Sequence, residues 1–146
     1  MRDRRRVPRA LIGCQIVDRY LCLPMTPQEI AGLADILTIE LTTTGCRSGL
    51  PSRIEIWWFH IEDRFVITGT PRPRDWMANV SVHPEVVIHA NGVDYPATGR
   101  VVDDEAFRRR VFIDPATSWY RNRADLGELV ATSPMVEIEF GGVSQW

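Results

Sequence analysis

A chain of 146 residues, 45% apolar and 25% charged, is long enough for one domain with a self-sufficient core, which excludes a disordered or disulfide-stapled class. Its 17 positive against 19 negative charges leave a net charge of −2, too balanced for a nucleic-acid binder. Every positive charge is arginine, so lysine Schiff-base chemistry is excluded and any anion site must use guanidinium forks, backbone N–H groups and hydroxyls.

Residues 1–25 read as an N-terminal arm and helix, and 26–146 as a single domain. The first nine residues carry five arginines. Ile12, Ile16 and Tyr20 then recur at helical spacing, on a helix that either covers the open end of a sheet or offers a basic surface to lipid or a partner. The basic start resembles a signal peptide, but Gln15, Asp18 and Arg19 break its apolar stretch. No run approaches the roughly 18 apolar residues of a spanning helix. Cys14, Cys22 and Cys46 are odd in number, lack metal-ligand spacing, and read as free thiols in a reducing cytoplasm. The histidines His60, His83 and His89 are likewise scattered, and no metal site is expected.

From Thr26 the chain punctuates itself. Thr26 caps a helix, Pro27 takes its first position and Glu29 completes a capping box. Strands are expected over 36–43, 53–60 and 65–70, rich in β-branched and aromatic residues. Pro71 and Pro73 end the third, and a short helix over 75–82 follows with Asp75 as its cap. Strands 85–90 and 93–102 flank Asn91-Gly92, a type I′ hairpin signal. Residues 103–112 read as a helix opened by acids and closed by Arg108, Arg109 and Arg110 as its solvated end. A Trp119-Tyr120 segment, a further helical stretch and a strand over 135–140 complete the chain. Six or so short antiparallel strands among small helices give a mainly β domain, a closed or half-closed barrel.

The connection "TTTGCRSGLPSR" (42–53) is longer than a hairpin needs. Gly45 and Gly49 permit tight turns, successive N–H groups can form an anion nest, and Thr43, Thr44, Ser48, Arg47 and Arg53 add hydroxyls and charge. A phosphate cradle and a plain solvated loop are both open readings. Beyond it, strand alternation puts Arg53, Glu55, Trp57 and Phe59 on one face and Ile54, Ile56, Trp58 and His60 on the other. Trp57 is then either an aromatic platform for a planar phosphorylated ligand or simply core.

"LTTTGCRSGLPSRIEIWWF" followed by "FVITGTPRPRDWMANVSVHPEVVIHANGVDYPATGRVV" resembles the deazaflavin-dependent nitroreductase and quinone reductase family, over roughly residues 36–112. The resemblance implies an FMN-binding-type split β-barrel that uses the deazaflavin coenzyme F-420. It implies coenzyme phosphate contacts from Arg47, Ser48, Gly49 and Arg53. Glu55, Ile56 and Trp57 would line the deazaflavin edge, partly through backbone groups, with Thr68, Gly69 and Thr70 as the opposite wall. Arg72 and Arg74 fall where relatives hold the acidic tail, and Trp76 and Asn79 match the family's W-x-x-N helix. Trp119 and Tyr120 lie where relatives place substrate-pocket aromatics, with Tyr120 a candidate catalytic proton donor.

The loop departs from the family's usual G-R-K-S-G-x-P-R: Cys46 and Ser52 replace two basic residues. FMN is therefore the alternative cofactor, and a non-redox binding protein or recruited biosynthetic enzyme the alternative class. The expected reaction is hydride transfer from reduced F-420 to a small hydrophobic enone, quinone or nitro compound, in a cytoplasmic homodimer.

Overall fold

The computed structural model describes residues 25–140, so the expected N-terminal arm and helix lie outside the described residues. The chain order is α1 (Pro27–Ala34), β1 (Thr38–Thr44), β2 (Pro51–Trp57), β3 (Phe59–Ile61), β4 (Arg64–Thr68), α2 (Asp75–Val82), β5 (Glu85–Ala90), β6 (Val93–Val101), α3 (Glu105–Ile113), a 3-10 turn (Pro115–Thr117), α4 (Ser118–Arg121), α5 (Leu126–Thr132) and β7 (Met135–Phe140). The capping box at α1 forms as its residues dictate. Thr26 Oγ1 accepts from the Glu29 N–H at 3.1 Å, and Glu29 accepts from the Thr26 N–H at 2.9 Å.

All seven strands form one antiparallel sheet in the order β2-β1-β5-β6-β7-β4-β3. The strand expected over 53–60 is two strands, because the chain changes edges at Trp58. β2 is one edge of the sheet and β3 the other, joined by this single residue. The sheet must therefore curl until its edges approach, which makes a split barrel. Trp58 fixes the corner: its N–H donates to the Leu37 carbonyl at 3.0 Å and its Nε1–H to the Ile36 carbonyl at 2.8 Å. Its ring stacks on Phe65 of the far edge at 4.4 Å.

Side-chain alternation then sorts two cores. The concave face carries Ile39, Leu41, Trp58, Phe65, Ile67, Val86, Ile88, Val136, Ile138 and Phe140, closed by Leu33 of α1 and Trp76 and Val80 of α2. The convex face is apolar only at the β3-β4-β7 side, where Phe59, Ile61, Val66 and Met135 lie under Phe107, Val111, Phe112, Tyr120, Leu129 and Val130 of α3, α4 and α5. The convex face of β1, β2 and β5 is mainly polar, apart from Trp57 and Val87.

Both two-residue turns use left-handed backbone. Asn91 and Gly92 have φ of 54° and 75°, as the type I′ signal requires, and Glu62 and Asp63 adopt 53° and 62° without any glycine. At α2 the cap is Arg74, which makes no side-chain capping bond; Asp75 is the first helical residue and interacts with the helix dipole instead. The arginine run of α3 also differs from expectation. Arg109 and Arg110 are exposed, Arg110 paired to Glu62 at 2.6 Å, whereas Arg108 is buried. Arg108 falls on the α3 face that Phe107, Val111 and Phe112 turn inward, so its guanidinium follows them into the interior.

Candidate functional site

The loop between β1 and β2 spans residues 45–50 and is held by its own backbone. The Gly45 N–H donates to the Leu50 carbonyl at 2.8 Å, the Gly49 N–H to the Gly45 carbonyl at 2.9 Å, and the Leu50 N–H to Ser48 Oγ at 3.1 Å. Gly49 has φ +71°, a conformation that favours glycine, and a Cβ at Gly45 would stand 2.4 Å from Ser48 Oγ, which would have to turn away from the Leu50 N–H. The Cys46 N–H is taken by Asn79 Oδ1 at 2.8 Å. The anion nest is therefore narrower than the sequence suggests. Only the consecutive N–H groups of Arg47 and Ser48 make no bond among the described residues, beside the exposed Arg47 guanidinium.

Asn79 is the anchor of this loop. It is buried on α2, and its Nδ2 donates to Thr43 Oγ1 at 2.9 Å while Oδ1 holds the loop. Thr43 is a buried polar residue and not a solvated hydroxyl of the loop. The signal that finds it is alternation with Ile39 and Leu41, which puts it on the concave face. Trp76, one turn before Asn79, is buried in the concave core and positions the helix.

Arg53 is not part of the nest. It lies on the convex face with its Nε donating to Glu40 across the β1–β2 ladder, so its charge is already compensated. Glu55 and Trp57 share that face, while Ile56 packs into the concave core. Arg47 and Trp57 stand at opposite ends of β2, about 20 Å apart along the strand. A ligand touching both is long.

The Thr68-Gly69-Thr70 wall is a clamp. Thr68 is buried, with Oγ1 donating to the Pro134 carbonyl at 2.6 Å. Arg74 folds back across Gly69, where a Cβ would meet its guanidinium at 2.9 Å, and donates from Nη2 to the Thr70 carbonyl and hydroxyl, each at 3.1 Å. Burial, reinforced by the charge of Arg72, lowers the Arg74 pKa. Arg72 and Arg74 make no ion pair among the described residues, and Arg74 Nε and Ser133 Oγ are buried without partners. All three residues line an open cleft of about 490 Å³ with Pro71, Met77 and Pro134. Two uncompensated guanidinium groups and an orphaned hydroxyl suit an oxyanion.

The aromatic residues do converge. Trp119, 41% exposed, meets Trp57 edge-on at 5.5 Å and Tyr120 at 5.2 Å. Tyr120 itself is buried against Phe59 and Phe112, with its hydroxyl 3.5 Å from the Thr68 carbonyl. Burial pushes its pKa up to about 12, against a smaller opposing effect of Arg74. Tyr120 packs in the interior with its phenol held neutral. Because its folded pKa lies above the unfolded value of 10, the neutral phenol's stabilising contribution is complete below pH 10 and is lost as pH rises toward 12. Urea midpoints at pH 9 and 11 should therefore fall less steeply for Tyr120→Phe than for the wild type; equal slopes would contradict a buried phenol.

This arrangement has relatives. Residues 28–128 match the family model of the F420H(2)-dependent quinone reductases. The chain belongs to that family. It is accordingly an oxidoreductase of the deazaflavin class, transferring a hydride from reduced F-420 to a quinone-like acceptor. No curated protein matches the sequence. Among solved structures it is similar to an F420-H2 dependent reductase (FDR-A), at 20% identity over 70% of this chain and 93% of that one, TM-score 0.52. It is similar to a structure described as a domain-swapped dimer, at 20% identity over 72% and 81%, TM-score 0.53. The heme storage protein of Vibrio cholerae matches at 15% identity over 78% and 89%, TM-score 0.54. At these identities the likeness establishes the split-barrel fold, which hosts more than one chemistry.

Proposed function

We propose that this family member binds F-420 rather than FMN, with the coenzyme phosphate on the Arg47 and Ser48 N–H groups and the Arg47 side chain. The free pair of consecutive N–H groups, kept open by Asn79, is the observation that carries this reading. Gly49 allows the backbone approach. Arg72, Arg74 and Ser133 take the acidic tail, for which their uncompensated charge and orphaned hydroxyl support an anionic guest. Glu55 and Trp57 face the ring from the convex side of β2, and Trp119 completes the aromatic wall on which a small hydrophobic acceptor stacks. Bound there, the deazaflavin supplies a hydride, and the chain contributes orientation and exclusion of water.

Cys46 gives its backbone N–H to Asn79, so this reading rests on Arg47 and Ser48 and not on the positions of Cys46 and Ser52. The working form is a cytoplasmic homodimer, supported by the dimeric structure to which the fold is similar; a monomeric elution volume would refute it. Among the described residues no helix is long and apolar enough to cross a membrane.

The decisive experiment is a fluorescence titration with F-420 and with FMN in parallel. Micromolar or tighter binding of F-420 alone is expected. Arg47→Ala should weaken it by about tenfold or more, the value of one charge-assisted hydrogen bond. Preference for FMN would overturn the cofactor assignment.

A further inference from the structure

Arg123 stands on the aromatic wall formed by Trp57 and Trp119. It follows α4, in a turn closed by its own N–H donating to the Tyr120 carbonyl at 2.9 Å. That turn brings its side chain back over Trp119. Cζ lies 3.7 Å from the centre of the indole ring, and Nη1 donates to the Trp119 carbonyl at 3.4 Å. Trp119 in turn meets Trp57 edge-on at 5.5 Å. The two distances keep the guanidinium within reach of a bicyclic ring set against either tryptophan.

Its neighbours leave this charge uncompensated. Arg121, two residues earlier, turns inward and gives Nη1 to the Phe112 and Asp114 carbonyls. Asp125, two residues later, spends its carboxylate on the Gly127 and Glu128 N–H groups at 3.0 and 3.4 Å, where it caps α5. Among the described residues no carboxylate pairs with Arg123, and its remaining N–H groups have no acceptor. Stacking on an indole holds a guanidinium by its face and leaves its N–H edge free. A planar cation fixed on tryptophan with most of its donors unspent suits an oxygen that carries negative charge on a flat ring.

We propose that Arg123 sets acceptor specificity: it binds the acceptor oxygen on which reduction places negative charge, and it favours quinones that already carry one. This rests on the acceptor wall proposed above. The hydride brings its electron pair into a new bond on the acceptor, and an acceptor oxygen becomes an oxyanion. Oxidation of the coenzyme releases a proton to water, and the oxyanion takes one from water. A neutral acceptor offers Arg123 only a carbonyl oxygen, a weaker partner than the oxyanion. The residue therefore acts on the barrier more than on the affinity for neutral acceptors.

Arg123→Met and Arg123→Lys test it with two naphthoquinones: menadione, which is neutral, and 2-hydroxy-1,4-naphthoquinone, which is an anion at neutral pH. In the protein without cofactor, quenching of tryptophan fluorescence reads their binding. Arg123→Met should bind the hydroxynaphthoquinone at least about tenfold more weakly and menadione within about twofold of wild type, and added salt should narrow the difference. With reduced F-420 and menadione, Arg123→Met should lose at least about tenfold in kcat with KM within about twofold, and Arg123→Lys should keep part of the rate. Arg109→Met should match the wild type throughout. Equal weakening of both naphthoquinones in Arg123→Met would reduce Arg123 to packing on the wall, and wild-type binding and kcat in that variant would remove it from the acceptor. Failure of the wild type to bind F-420 would overturn the cofactor reading, while the comparison of the two naphthoquinones would still decide Arg123.

Discussion

Replacing Arg108 by methionine is expected to remove roughly 3–5 kcal/mol of folding stability. Arg108 is buried on α3, and its guanidinium donates to three main-chain carbonyls: Val130 at 2.7 Å, Val102 at 2.9 Å and Ser133 at 2.5 Å. Those carbonyls lie just past β6, within α5 and at the C-cap of α5, so one side chain ties α3 to α5 and to the exit of the sheet. Among the described residues no carboxylate bonds it; burial draws its pKa down and the charge of Asp103 opposes this only in part. Methionine fills much the same volume but leaves three buried acceptors without a donor, at about 1–3 kcal/mol each before relaxation. Domains of this size hold only about 5–15 kcal/mol in total, so a melting temperature lower by on the order of 10 °C is expected. Arg109→Met is the control. Its pair with Glu105 at 3.9 Å is exposed, and the change should stay within about 0.5 kcal/mol. A loss below about 1 kcal/mol at Arg108 would mean that water replaces the guanidinium.

Asn79→Ala should cost F-420 affinity and stability together. The amide is buried and satisfies both the Cys46 N–H of the loop and the Thr43 hydroxyl of β1. Its loss leaves two polar groups unpaired, about 2–3 kcal/mol, and frees the segment that presents the Arg47 and Ser48 N–H groups. An F-420 dissociation constant at least about tenfold weaker is expected by the same fluorescence titration, with a lower urea midpoint. Asn79→Asp keeps an acceptor for the Cys46 N–H and should retain more of the loop's order than alanine does. Reduced stability with unchanged affinity in Asn79→Ala would separate the loop from the coenzyme and move the phosphate elsewhere.

Much of the architecture was legible locally. Thr26-Pro27-Glu29 and Asn91-Gly92 specify a capping box and a type I′ turn by their own chemistry, and both form. Alternation in Arg53 to Phe59 placed Ile54, Ile56 and Trp58 on one face, and the concave core holds all three. The paired sequence blocks also pointed to the family that the match over residues 28–128 establishes. The edge change at Trp58 was not legible, because nothing in a continuous apolar run says that its two halves join opposite edges of one sheet.

The same limit governs the site. The residue types of the loop determined that it turns tightly. Which N–H groups remain free was decided by Asn79, 33 residues from Cys46. The sequence determined that Arg53 is a cation near that loop; pairing with β1 gave it to Glu40. Arg108 sits in a run of three arginines that local pattern treats alike, and only the packing of α3 against α5 and the end of β6 turned one of them inward. His89 meets Thr42 and Asp94 in hydrogen bonds only through strand register. Caps, turns and alternation depend on residues within a few positions of one another, so the sequence by itself determines them. Burial and the pairing of charges depend on which distant strands meet, and that was decided by the curl of the sheet.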